Sequence, residues 1–185
     1  LMKQSAESIK KVSMELGGNA PLIVFDDADL SVAVPEALAS KFRNAGQTCV
    51  CANRIFVQDG IYDEFAAAMK AAVEKMKLGN GAEDGVTMGP LIDEPGMLKA
   101  EEHVNDAVSG GAKVLTGGRR SNLGATFFEP TVLTDAKPSM KVFHEETFGP
   151  VAPLFRFKTE EEVIAMANDT IFGLASYFFA NDMAR

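Results

Sequence analysis

Two residue types in this 185-residue chain can do covalent and acid–base work: a cysteine, and a carboxylate set among apolar residues and glycines. Cys49 stands in Phe42-Arg43-Asn44-Ala45-Gly46-Gln47-Thr48-Cys49-Val50-Cys51. A thiolate there would be a nucleophile, whereas a neutral thiol is a weak one. Between Thr and Val a cysteine also fits the role of a small buried hydrophobe. The Gly46-Gln47 break after a helix can instead expose the thiol to a cleft. Glu15 stands in Ser13-Met14-Glu15-Leu16-Gly17-Gly18-Asn19. It reads either as a solvated strand end or as a partly desolvated carboxylate, which would be the better general base. The paired glycines let a ligand or another backbone approach closely, but they do not make a Gly-x-Gly-x-x-Gly dinucleotide fingerprint. Glu145-Glu146-Thr147-Phe148-Gly149-Pro150 reads, by composition, as a charged turn.

The elements that must position these residues alternate between strand and helix. Pro21-Leu22-Ile23-Val24-Phe25 is a short apolar run, as a buried strand would be. Asp29 can cap a helix over residues 30–44, in which Pro35 predicts a kink or a later start. Residues 54–57 read as a strand. Residues 62–78 read as a helix, because Tyr62, Phe65, Ala66, Met69, Val73 and Met76 share one face and Gly79 follows. After a Gly- and Pro-rich loop, the pattern predicts a helix over 97–109 and strands over 113–116, 127–133 and 151–157. Pro130 marks the middle one of these strands as an edge or a bulge. Thr159 and Glu162 form a capping box for a helix reaching 168, and 175–180 is a last strand. Residues 181–185 look like the entry to a further helix. The expected fold class is α/β, a largely parallel sheet flanked by helices.

Length and charge restrict the possibilities further. A chain of 185 residues can bury one real core, and 46% apolar with 24% charged residues suits an ordinary globular domain. Twenty-six acidic against 18 basic residues give a net charge of -8, and the basic ones are scattered. A polyanion would be repelled on average, so no nucleic-acid partner is expected, although a local cationic pocket for a small anion is compatible with that charge. No apolar run approaches a membrane span, and the opening Leu-Met-Lys-Gln-Ser lacks the apolar core of a signal peptide, so no membrane partner is expected. The first residue is not Met, and the chain stops in an apparent helix, which together suggest a segment of a longer protein. Cys49 and Cys51 make no disulfide framework, and His103 and His144 lie far from them, so no metal site is expected. The thiols point to a reducing compartment, the cytoplasm.

Glu-Leu-Gly-Gly-Asn at 15–19, Asn-Ala-Gly-Gln-Thr-Cys at 44–49 and Glu-Glu-Thr-Phe-Gly-Pro at 145–150 resemble the signature segments of the aldehyde dehydrogenase superfamily, in its order and at its spacing. The resemblance runs over essentially the whole chain, including Gly89-Pro90-Leu91-Ile92 and Phe128-Glu129-Pro130-Thr131. It implies an aldehyde dehydrogenase catalytic domain with NAD or NADP as cofactor. By the same resemblance Cys49 is the catalytic thiol and Glu15 the general base. The backbone of Leu16 borders the nicotinamide, Glu146 hydrogen-bonds its ribose, and Phe148 packs near its ring. The implied reaction is attack of the Cys49 thiolate on an aldehyde, hydride loss from the thiohemiacetal to the nicotinamide, and hydrolysis of the thioester by water that Glu15 activates. The backbone N–H of Cys49 would help hold the oxyanion. Residues 1–16 are then the tail end of the cofactor-binding domain, and 17–185 the catalytic domain, truncated before the C-terminal segment. The full-length protein would be a homodimer or homotetramer, and the segment alone would be inactive for want of most of its dinucleotide site.

The run from Phe42 to Arg54 looks like the succinate-semialdehyde dehydrogenase branch of the family. By composition Arg43 is a surface charge. The resemblance makes it the clasp for the distal carboxylate of the substrate, a role that suits the guanidinium fork. Such a site would reject neutral aldehydes, which leave the cation unpaired. Glutarate semialdehyde is one methylene longer and stays open as an alternative, since a pocket discriminates one methylene by only ~1–3 kcal/mol. Branches that form thioesters with coenzyme A generally lack a counterpart of Glu15. A non-catalytic redox-sensing or structural protein on the same fold is the reading of another class, and the retained Cys49, Glu15 and Glu146 weigh against it. Cys51 reads as a packing residue or as a redox switch, joined to Cys49 by a strained and easily reduced disulfide.

Overall fold

Ile55, Phe56 and Val57 follow one another without a polar interruption because their strand is covered on both faces, and all three are fully buried. They lie in the computed structural model, which describes all 185 residues, at the centre of one six-stranded sheet. The element order is α1 (Met2–Ala6), β1 (Ala20–Val24), α2 (Leu30–Phe42), β2 (Ala52–Gln58), α3 (Tyr62–Val73), α4 (Glu94–Ser109), β3 (Lys113–Thr116), β4 (Thr131–Ala136), α5 (Lys141–His144), β5 (Val151–Phe157), α6 (Glu160–Asn168) and β6 (Tyr177–Phe179). The strands are ordered β3-β4-β5-β2-β1-β6. Every neighbouring pair is parallel except β3 with β4, so the expected α/β class holds. The register sets Leu22 of β1 beside Ile55 of β2, and Phe56 beside Phe155 of β5. Phe56 packs on Phe155 and Phe143 with ring centroids 5.3 and 6.2 Å away. No helix is long and apolar enough to cross a membrane.

The apolar periodicity located the six strands and helices α2, α3, α4 and α6 but not the short α1 and α5, while tertiary contacts moved several boundaries. The helix expected over 30–44 ends at Phe42, and Pro35 sits inside it without ending it. Asn44, Ala45 and Gly46 then take left-handed φ values of 52°, 56° and 75°, so Arg43 leaves the helix. The helix expected to reach 78 ends at Val73. Beyond it Thr87 and Met88 donate their N–H groups to the Lys77 carbonyl, and this local pairing draws the chain out of the helix. The strand expected over 127–133 runs from Thr131 to Ala136, which places Pro130 before it and not within it. The Asp93 carboxylate accepts the Gly96 N–H and starts α4 at Glu94. Thr159 caps α6 as expected, its hydroxyl accepting the Glu162 N–H. Residues 181–185 form no helix; Asn181 and Asp182 donate their N–H groups to the Asp27 carboxylate.

One charged side chain is part of the core. Arg54, on β2, is fully buried. Its guanidinium donates to the carbonyls of Asn19 (3.1 Å), Met166 (2.9 Å) and Ala167 (2.9 Å). It thus closes the C-terminal end of α6, whose last carbonyls have no partner within the helix, and ties it to the residue preceding β1. Burial pulls the Arg54 pKa down to about 10, against the attraction of Asp169, and the side chain stays charged at neutral pH. The Arg54→Met variant strands these carbonyls and is expected to lose about 3 kcal/mol or more in urea unfolding. Arg54→Lys should recover only part of that, because an ammonium lacks the fork that spans both ends.

Candidate active site

The three motif segments come together because each precedes one of three adjacent parallel strands. Gly17-Gly18-Asn19 leads into β1, Thr48-Cys49-Val50-Cys51 into β2, and residues 145–150 into β5. Parallel strands in register place their starts side by side. The site therefore lies at the N-terminal ends of these strands. Glycines permit the final approach. A Cβ built on Gly18 would stand 1.9 Å from the Cys49 carbonyl oxygen, and one on Gly46 would stand 2.2 Å from that of Gly149. A Cβ on Gly17 would meet Glu146 Oε2 at 2.6 Å. The Gly18 N–H donates to Glu146 Oε1 at 2.9 Å. One glycine thus touches the backbone of Cys49 and the carboxylate of Glu146.

Beneath these segments lies a buried polar network. The Asn53 side-chain amide donates to Asn19 Oδ1 at 2.6 Å and to the Glu145 carbonyl at 3.1 Å. Asn19 Nδ2 donates to the Phe143 carbonyl at 2.9 Å. Lys41, fully buried on α2, donates to Asn53 Oδ1 at 3.4 Å and has its Nζ 3.9 Å from Cys51 Sγ. Burial pushes the Lys41 ammonium pKa down, against the pull of Cys51 and Glu146. His103, fully buried on α4, holds Thr147 Oγ1 at Nδ1 (2.9 Å) and a Glu145 carboxylate oxygen at Nε2 (3.2 Å). No buried side-chain nitrogen or oxygen lacks a partner, as a low-dielectric interior requires.

The candidate residues occupy distinct surroundings. Cys49 is half-buried between exposed Val50 and half-buried Thr48. Cys51 is buried, and its thiol donates to the Gly46 carbonyl at 3.3 Å; both cysteines are free. Glu15 and Leu16 are exposed on a stretch without regular secondary structure and line a cavity of about 570 Å³ with Ile171, Phe172 and Leu174. The partial desolvation expected of Glu15 is thus not supplied by this chain, because none of residues 1–17 enters the core. Arg43 is exposed and lines a cavity of about 280 Å³ with Thr48, Val50, Cys51 and Tyr177. The structure thereby brings Arg43 to both neighbours of Cys49. Glu146 is half-buried, and its Oε2 accepts no hydrogen bond from within the chain. Phe148 has a φ of 51° and is 40% exposed. The site thus presents a carboxylate with one oxygen anchored and the other free, near an exposed ring. There is no cluster of His, Cys, Asp or Glu that could hold a metal ion.

Residues 1–185 match the family model described as the aldehyde dehydrogenase family. The chain belongs to the aldehyde dehydrogenase family. It is 64% identical to a 3-sulfolactaldehyde dehydrogenase of Pseudomonas putida and 65% identical to a glutarate-semialdehyde dehydrogenase of Pseudomonas aeruginosa. In both cases the whole chain aligns with 38% of the relative. A crystal structure of succinate-semialdehyde dehydrogenase from Burkholderia pseudomallei superposes with a TM-score of 0.96 at 59% identity, over 99% of this chain and 38% of that one. The chain thus spans well under half the length of the relatives it matches. Enzymes of this family are oxidoreductases that use NAD(P).

Sequence patterns alone did not single out Lys41, Asn53 or His103, which lie beneath the motif segments. For His103 a signal was present, since it sits on the stripe of α4 that also carries Met97, Ala100, Val104 and Ala107. Burial pulls the His103 pKa down, opposed by Glu145, while Lys99 lowers it and Glu102 raises it. The unfolded chain then binds a proton that the folded one resists. Stability attributable to His103 is full above about pH 6.5 and is lost as pH falls from there toward the lowered folded value. In urea unfolding between pH 7 and pH 5, His103→Gln should show a shallower acid loss than the parent chain; an unchanged slope would contradict this.

Proposed function

We propose that the full-length protein containing this chain oxidises a semialdehyde to the carboxylate, with NAD or NADP as hydride acceptor, and that succinate semialdehyde is its substrate. The observation that carries this reading is the meeting at Gly18, which touches both the Cys49 backbone and the Glu146 carboxylate. In the proposed reaction the Cys49 thiolate attacks the aldehyde carbon, and the developing oxyanion is held in part by the Cys49 N–H. The bound dinucleotide supplies the hydride acceptor. Glu146 orients the nicotinamide ribose, while the Leu16 backbone and Phe148 border the ring. Glu15 then takes a proton from the water that hydrolyses the Cys49 thioester. Residues 1–16 would be the tail end of the cofactor-binding domain, and covering Glu15 would fall to the remainder of that domain. Residues 17–185 would be the catalytic domain of a homodimer or homotetramer. Two free thiols suit a reducing cytoplasm.

Substrate choice is assigned to Arg43. Succinate semialdehyde, glutarate semialdehyde and 3-sulfolactaldehyde, named for the relatives, each carry an anionic group away from the aldehyde. Arg43 and the two neighbours of Cys49 share one cavity region, which supports a clasp for such a group. Glutarate semialdehyde is the alternative substrate, favoured by the relative of that name. In the full-length protein, Arg43→Ala should lower kcat/KM for succinate semialdehyde about 10- to 100-fold more than for butanal, as loss of a charge-assisted hydrogen bond predicts. Equal losses on the two aldehydes would sink the assignment.

Cys51 is proposed as a redox switch that closes a disulfide with Cys49 and so removes the nucleophile. Reaching Cys49 requires the Cys51 thiol to leave the Gly46 carbonyl. Mild peroxide should remove two hydrogens across the peptide carrying both cysteines and abolish activity, with recovery on adding dithiothreitol. A peptide mass that does not change while activity falls would contradict the switch.

A further inference from the structure

Among the apolar residues on the buried face of α4, His103 is the one that carries hydrogen-bonding groups, and both are used. A carboxylate only accepts, so the Glu145 contact places the proton on Nε2, and Nδ1 then accepts from the Thr147 hydroxyl. Burial keeps the ring neutral, in agreement with this tautomer. The two partners are the residues on either side of Glu146. Asn53 holds the same two residues through their main chain, donating to the Glu145 carbonyl at 3.1 Å and accepting the Thr147 N–H at 3.4 Å. Glu146 itself has a single anchor, the Gly18 N–H. Its placement therefore depends on its neighbours. Phe148, next but one along the chain, holds a left-handed φ of 51°, a conformation that costs a non-glycine residue about 1–2 kcal/mol and persists only where the surroundings enforce it.

We infer that His103 is a positioning residue for the cofactor end of the site: through Thr147 and Glu145 it sets where the Glu146 carboxylate and the Phe148 ring stand. The inference rests on the dehydrogenase reading of Glu146. His103 lies behind the segment, buried on α4, and acts through its neighbours without touching the dinucleotide. An imidazole suits the task because it is rigid and offers a donor and an acceptor on opposite edges, so one side chain braces two residues of one loop. A displacement of about 1 Å at a reacting group can cost on the order of 100-fold in rate.

The test uses the full-length protein with His103→Phe, which keeps an aromatic ring but has no ring nitrogen, and Thr147→Val, which exchanges the hydroxyl for a methyl. Both should raise KM for NAD(P)+ roughly ten-fold or more and leave KM for the aldehyde within about two-fold. Hydrolysis of p-nitrophenyl acetate is the control, because it needs no dinucleotide. The Cys49 thiolate attacks the ester carbonyl, p-nitrophenolate leaves, and water cleaves the resulting thioester. This rate should fall by less than about two-fold, reporting an intact fold and nucleophile. In a Glu146→Gln background, His103→Phe should add little further loss, since both changes act on one interaction. Independent, multiplicative losses in that background would overturn the inference, as would ester hydrolysis falling in step with dehydrogenase activity. A wild-type protein that binds NAD(P)H by fluorescence titration yet oxidises no aldehyde would overturn the dehydrogenase reading, and the NAD(P)H affinity of the variants would still decide on His103. Unchanged affinity in both variants would overturn it, and a wild-type protein that binds no dinucleotide would overturn both.

Discussion

The contact of Gly18 with the Cys49 carbonyl is the constraint on which the rest of the site depends. A Cβ at Gly18 would overlap that oxygen, so any other residue would push the Cys49 segment away from the start of β1. The same glycine uses its N–H to hold Glu146. Two segments more than 90 residues apart in the chain are thereby placed relative to one another by a backbone unit with no side chain. The parallel order β5-β2-β1 makes this possible, because it brings three strand starts to one edge of the sheet.

This arrangement needs support from below. Loop ends that converge in this way bring carbonyls and N–H groups into a region sealed from water, and each must find a partner. Arg54, Asn53 and Asn19 supply those partners, while Lys41 holds the Asn53 side chain and His103 the side chains of Glu145 and Thr147. The bonds are directional, so they fix the loops more narrowly than apolar packing would. The cost is the desolvation of a guanidinium and an ammonium, visible in the lowered pKa values of Arg54 and Lys41. The groups facing outward, Glu15, Leu16, Arg43 and Phe148, are exposed. Buried, hydrogen-bonded groups lie underneath and exposed side chains on top.

The exposure of Arg43 also follows from the fold. Had the helix continued to residue 44, Arg43 would have projected from its regular face. The helix instead ends at Phe42, and the three residues 44–46 turn left-handed to bring Gly46 against Gly149. The same turn leaves Arg43 exposed beside the cavity that Thr48 and Val50 line.

The sequence by itself determined the α/β class, the parallel sheet and the family, because strand runs, helical faces and three short motifs are local patterns that survive without coordinates. It also singled out Cys49, Glu15, Glu146 and Phe148 as candidates, since motif position carries residue type. Element ends were less legible. The chain leaves α3 after Val73, where the Lys77 carbonyl takes partners at 87 and 88, and β4 begins after Pro130 where β5 offers its ladder. Only the tertiary structure decided that Glu15 lies exposed, that Arg43 leaves its helix, and that Lys41, Asn53 and His103 lie beneath the site. The physical reason is that burial and hydrogen-bond partners are properties of pairs distant in the chain. His103 and Thr147 are 44 residues apart, and no local pattern states that they meet.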